Sequence, residues 1–421
     1  MIDHVLLERA TTRAGGTTDV LIADGRVAAL GASAATDPRA AGADRLDLAG
    51  YLLLPAPAEP HAHLDKALLA RRAPNPRGDL PGAVTAIRTA YATMDEADLR
   101  SRATEALLTA LAHGYTAVRS HADVGEGIGT RSVRVLTDLR ERAAALIDLQ
   151  VVALAAAPVA GAAGRHNRRF LAEAIELGAD VVGGAPALDP NPRAALRTLA
   201  AAADEAGLPL DLHLDETTDP DMLTLRRFAG EVARRGLHGR ATASHCVSLG
   251  QQDPATCREV SRALADAGVA VVTLPQTNLY LQGRDEPTRT PRGLTAVAAL
   301  REAGVAVAGG GDNWRDPFNP LGRIDPFETA SLLVAAAHLP VADAWDAVTA
   351  HARAALGLPP ADLAPGSPAD LLAIRAADLD EAVAAASEDR IVLRGGRVVA
   401  RTRVTRDIVP ALDPAPEEAL A

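Results

Sequence analysis

Cysteine, aromatic rings and lysine are all scarce in this chain. Its two cysteines, Cys246 and Cys257, form no CxxC pair and no disulfide framework, which points to a reducing compartment. Aromatic residues make up 2% of the sequence, too few for the stacking platforms that bind single-stranded nucleic acid. Positive charge is also short: 43 Lys and Arg stand against 54 Asp and Glu, a net charge of -11. Such a surface repels phosphate backbones and anionic lipid. Lys66 is the single lysine, so the remaining positive charge is arginine. The longest uncharged, mostly apolar run, Val151 to Gly164, is too short and too rich in Ala and Gly to cross a bilayer. The opening stretch MIDHVLLERATTRAGG mixes acids and arginines where a secretory leader needs an unbroken apolar segment. The expectation is a cytoplasmic protein whose partner is a small molecule, with neither nucleic acid nor membrane as partner.

The chain has 421 residues, of which 48% are hydrophobic and 23% charged. That is normal for a folded globular protein with a large core. The first fifty residues read as short strands, with Asp24-Gly25 as a hairpin turn. The last fifty-odd echo them, turning at Gly395-Gly396. These β-rich ends predict one composite small β domain from residues 1–54 and 365–421, with a frayed tail DPAPEEALA. Between them, short apolar strands alternate with Ala/Leu/Arg helical stretches that end at glycines. Eight strand candidates fall at 52–58, 116–121, 150–156, 180–184, 209–214, 241–245, 270–275 and 305–311. Eight βα units predict an α/β fold: a TIM-type (β/α)8 barrel over 55–364 with a small β-sandwich formed by both termini.

Polar residues recur where those strands end: His61 and His63, His213, His245, and Asp312. The C-terminal ends of parallel barrel strands converge on one face, which is where active sites form. Residues two apart in a strand point the same way, so His61 and His63 can bind one ion. Three imidazoles with a carboxylate suit Zn²⁺ or Fe²⁺ and leave room for water. A lone histidine is more often a packing residue; the repetition at matching strand ends favours a metal site. Other features read as structural. Gly309-Gly310-Gly311 lacks the Lys-Ser/Thr of a phosphate loop, His113 precedes a helix-ending glycine, and Cys246 reads as core.

The blocks PAPAEPHAHLDK, LHLDETTDP, ASHCVSLG, LPQTNLYLQGR and GGGDNWRDPFNPLG resemble those of the amidohydrolase superfamily, in particular its cytosine deaminase-like branch. The resemblance runs in order from about residue 50 to 330. It implies that His61, His63, His213 and Asp312 hold one divalent metal ion, Zn or Fe. It also implies that Glu216 is the general acid/base, that His245 orients the attacking water, and that Asp312 accepts the water's proton. Many superfamily members bridge two metals with a modified lysine on the fourth strand. That strand here carries Gly183 and Gly184, which excludes a lysine-bridged pair.

For substrate contacts the resemblance points to Lys66, Gln282, Trp314 and Phe318. It places Ala156 where cytosine deaminases carry a glutamine that reads the pyrimidine edge. Loss of that partner argues against cytosine itself. The expected activity is deamination of a nitrogen heterocycle with release of ammonia. The alternatives are removal of an alkylamine or opening of a cyclic amide at the same site, and a catalytically inactive metal-binding scaffold. The resemblance is also compatible with a homo-oligomer.

Overall fold

The computed structural model describes residues 4–407; the tail DPAPEEALA lies outside them. Eight parallel strands follow one another in sequence and in space. They are β1 (Ala58–Ala62), β2 (Ala117–Val124), β3 (Asp148–Ala155), β4 (Val181–Gly184), β5 (Leu210–Leu214), β6 (Ala241–His245), β7 (Ala270–Thr273) and β8 (Val307–Gly309). Helices cover their outer face, and their Ala and Leu stripes form the main core with the strands' outward side chains. This is the TIM-type barrel that the alternation predicts.

The ring is closed by side chain and backbone together. Asp312 N donates to His61 O at 2.9 Å, and Gly311 N donates to the Glu59 carboxylate at 2.9 Å. Glu59 also accepts from His61 N at 3.0 Å. A buried carboxylate thus replaces a stretch of ladder between β8 and β1, and it fixes Asp312 against the two histidines. Burial outweighs the two N–H donors and pushes Glu59 up to about 8.

Both termini build a separate eight-stranded sheet. Leu371–Arg375 pairs with Tyr51–Pro55, which in turn runs beside His4–Thr12. The hairpins turn at Asp24-Gly25 and Gly395-Gly396, with Asp24 and Gly25 both left-handed. One expectation needs correction: the run 52–58 is not a barrel strand. Tyr51–Pro55 belongs to the terminal sheet, and the barrel begins at Ala58. Pro55 and Pro57 cannot donate to a ladder, so the chain leaves one sheet and enters the other there. Arg390 of the terminal sheet forks onto Asp325 of the barrel at 3.1 and 2.9 Å, a buried bidentate pair. No helix among the described residues is long and apolar enough to cross a membrane.

Candidate metal centre and active site

Four side chains from three places in the chain meet at the C-terminal mouth of the barrel. His61 lies within β1, His63 one residue beyond it, His213 within β5, and Asp312 just after β8. His213 Nε2 lies 3.2 Å from His61 Nε2 and 3.3 Å from His63 Nε2. An oxygen of Asp312 lies 3.1 Å from His63 Nε2 and 3.5 Å from His61 Nε2. A tetrahedral ion with bonds of about 2.1 Å holds its ligands about 3.4 Å apart. Both Asp312 oxygens are buried without a hydrogen-bond partner, a costly arrangement unless a cation completes it. Burial, reinforced by the neighbouring imidazoles, holds His61 and His213 well below the usual histidine range. They are therefore free bases, the form that binds metal. The residues present fit a divalent ion.

The strand ends here are strained. Asp215, His245, Cys246 and Asp312 all adopt left-handed backbone conformations, with φ of 51°, 70°, 53° and 60°. Such residues persist where surrounding contacts over-determine them, as at functional sites. Asp215 shows how. Its carboxylate accepts from Thr224 N, Thr224 Oγ1 and Leu225 N at 2.8, 2.7 and 3.1 Å. This pins the turn after β5 to the next helix and sets the direction of the following residue, Glu216.

Glu216 is not among the close donors. Its side chain is 11% exposed, and Oε1 lies 3.5 Å from Nδ1 of His245. Burial and then the Asp312 carboxylate raise Glu216 well above the usual carboxyl range. A bound cation would pull the other way. His245, brought down to about 4 by burial, stays neutral. Its Nδ1 meets Asn278 Nδ2 at 3.0 Å. Asn278 lies inside the LPQTNLYLQGR block but carried no individual signal, and only the fold places it against His245.

A cavity of about 750 Å³, its open mouth included, stands above this floor. Ala156 and Phe318 line it, as does Lys66. Lys66 is buried, with Nζ 3.0 Å from Asp123, 3.2 Å from Asp65 and 3.1 Å from His63 Nδ1. This is an internal network at the wall rather than a surface ion pair. Two expected substrate contacts sit elsewhere. Trp314 is turned into the core, with its ring 6.5 Å from that of Tyr115. Gln282 donates to the backbone oxygen of Glu216 at 3.2 Å and does not line the cavity. Both lie on loops, whose side-chain directions local spacing does not set. Cys246 lies in the core, as expected.

Three histidines and an aspartate at the mouth of a barrel, with a glutamate close by, form a set that could hold a metal ion for hydrolysis. A family model for the amidohydrolase family matches residues 78–400; the chain belongs to that family and is a hydrolase acting on C–N bonds. It is similar to a pterin deaminase of Rhizobium rhizogenes, 36% identical over 91% of this chain and 88% of that protein. Among solved structures it is similar to a 5-methylcytosine deaminase from Klebsiella pneumoniae liganded with 5-fluorocytosine. That likeness has a TM-score of 0.87 at 31% identity and covers 97% of this chain and 100% of the other. An N-isopropylammelide isopropylaminohydrolase from Burkholderia multivorans is also similar. Its TM-score is 0.82 at 30% identity, covering 95% of this chain and 98% of that one.

Proposed function

We propose that the protein deaminates an aminated nitrogen heterocycle, using one divalent metal ion held by His61, His63, His213 and Asp312. The observation that carries the proposal is Glu216, a raised carboxyl beside the donor ring and outside it. A bound Zn²⁺ or Fe²⁺ would supply water as hydroxide near neutral pH. Asp312 would help to hold that ion and would accept a proton from the attacking water. Glu216 gives its proton to the ring nitrogen next to the carbon under attack, which makes that carbon electrophilic. His245, neutral and held by Asn278, orients the water and the oxygen it becomes. Glu216 would then take the hydroxyl proton of the tetrahedral centre and hand it to the amino group, which leaves as ammonia while the carbon keeps the oxygen; the proton held by Asp312 returns to Glu216 for the next turnover. Water and an amidine are consumed, and an amide and ammonia are produced.

We further propose a bicyclic ring of the pterin kind as substrate. Ala155, Ala156 and Ala157 leave the β3 side of the cavity open, and Val84, Ile87 and Phe318 offer apolar walls to flat faces. The similarity to a pterin deaminase agrees with that space.

The test is ammonia release by metal-quantified protein across pterins, cytosine, guanine-like purines and aminotriazines, with Glu216→Gln as the blank. Ammonia from pterins, absent in the blank, supports the proposal. Release of isopropylamine from an N-isopropyl triazine, with silence on every amino ring, would replace it with the amine-removing reaction.

A further inference from the structure

Beneath the donor ring lies a buried polar chain that the reaction above does not use. His61 Nδ1 is 2.8 Å from Ser244 Oγ, and Ser244 Oγ is 3.0 Å from Asp211 Oδ1. All three side chains are fully buried. Asp211 Oδ2 receives Arg119 Nη1 at 2.9 Å, and Arg119 Nε donates to Gln150 at 3.0 Å. The Arg119 guanidinium occupies Oδ2 of Asp211, and the Ser244 hydroxyl donates to its Oδ1. The single hydroxyl proton of Ser244 therefore points to Asp211, so Ser244 Oγ accepts from His61. The proton of His61 must sit on Nδ1. That leaves Nε2, the atom 3.2 Å from His213 and 3.5 Å from Asp312, with a bare lone pair facing the centre. His121 stacks on the same ring at 3.9 Å and blocks its rotation.

The sequence explains why these residues meet. Asp211 and His213 are two apart on β5 and share a face, and Ser244 on β6 lies opposite His213 in register. We infer that Ser244 and Asp211 are positioning residues that fix the tautomer and orientation of His61 and so set the affinity of the centre for its metal.

The test follows metal release from the holoenzyme to a competing chelator, beside the melting temperature of the metal-free protein. Ser244→Ala should weaken metal binding about 10–100-fold, with Ser244→Thr restoring most of it and the metal-free melting temperature little changed. Wild-type affinity in Ser244→Ala overturns the inference. Should that variant fail to fold, nitrogen-15 NMR of the wild-type His61 ring decides: an Nδ1–H tautomer supports the inference and an Nε2–H tautomer overturns it. A wild-type protein that takes up no metal overturns both this inference and the reading of the centre.

A second observation concerns the mouth. Leu80, Val84, Ile87 and Arg88 share the cavity-facing stripe of the helix Leu80–Ala90, at i, i+4, i+7 and i+8. Arg88 is exposed, and its guanidinium forms no ion pair among the described residues. The only other cation of the lining, Lys66, is already held by two carboxylates. We infer that Arg88 receives an anionic substituent, such as a carboxylate, at the end of the substrate far from its amino group. This rests on the deaminase reading.

Pterin and a pterin carrying a ring carboxylate are compared with wild type and Arg88→Met. The expected result is about a tenfold loss of kcat/KM on the carboxylate, carried by KM, with a smaller change on the neutral ring. Equal changes on both overturn the anion site alone. No turnover of either by wild type overturns the deaminase reading, and the anion site with it.

Discussion

The floor and the walls of the cavity are built by different rules. The floor is polar and crowded: four ligand candidates, His245 and Glu216 sit on or just after strand ends, with side chains that are buried or nearly so. The walls come from the helix Leu80–Ala90 and the turns after β3 and β4, and they are mostly aliphatic. Floor residues must be placed to within a fraction of an ångström because charge and proton position decide the chemistry. Apolar walls need only volume, so they can change without disturbing the reaction below.

Substitutions can break or sharpen that contrast. The largest expected effect is at the floor. Asp312→Ala removes a ligand and a proton acceptor together, so metal content and turnover should both fall to background in metal analysis and ammonia assays. Glu216→Gln should keep the metal and lose about 10²–10⁴-fold in kcat; loss of metal as well would make Glu216 part of the centre. Lys66→Met, at the boundary of floor and wall, leaves Asp65 and Asp123 buried without their cation. It should destabilise the fold by about 3–5 kcal/mol in denaturant titration. A stable variant with only a raised KM would make Lys66 a wall residue.

Glu59 tests the joint between β8 and β1. Its folded pKa of about 8 lies above the ordinary 4.5, so between those values the folded chain holds a proton that the unfolded chain has released. Stability from this group is therefore full below about 4.5 and is lost as pH rises toward 8. In metal-free protein the advantage of wild type over Glu59→Gln should shrink across that window, by on the order of a few kcal/mol. A gap that stays flat with pH would mean that Glu59 does not titrate there. The smallest effect belongs to the wall. Ala156→Gln should shift preference from bicyclic rings toward cytosine by about tenfold in kcat/KM; an unchanged ratio would mean that β3 does not read the substrate.

How much of this was legible before the fold was known follows the same division. His61, His63, His213, His245 and Asp312 were readable because each sits at a strand end, where a period of two and a shared barrel face place side chains; Glu216, and the choice of four ligands among those five, came from the family resemblance. Lys66 was readable as a member of its motif, yet its burial between Asp65 and Asp123 was not. Trp314 and Gln282 lie in loops, where the backbone can send a side chain either way, and both turned from the cavity. Ser244 and Asp211 look like ordinary strand residues until β5 and β6 are set side by side.

The sequence alone determined the barrel, the terminal β domain and the polar residues at the strand ends, because periodicity and strand-end position are local properties. Tertiary structure alone decided which strand Leu52–Leu54 joins, that Glu59 closes the ring, that Asn278 holds His245, and which side chains form the cavity wall. Those outcomes depend on contacts between residues as far apart as Glu59 and Gly311, and such distances in the chain are fixed only when the core packs.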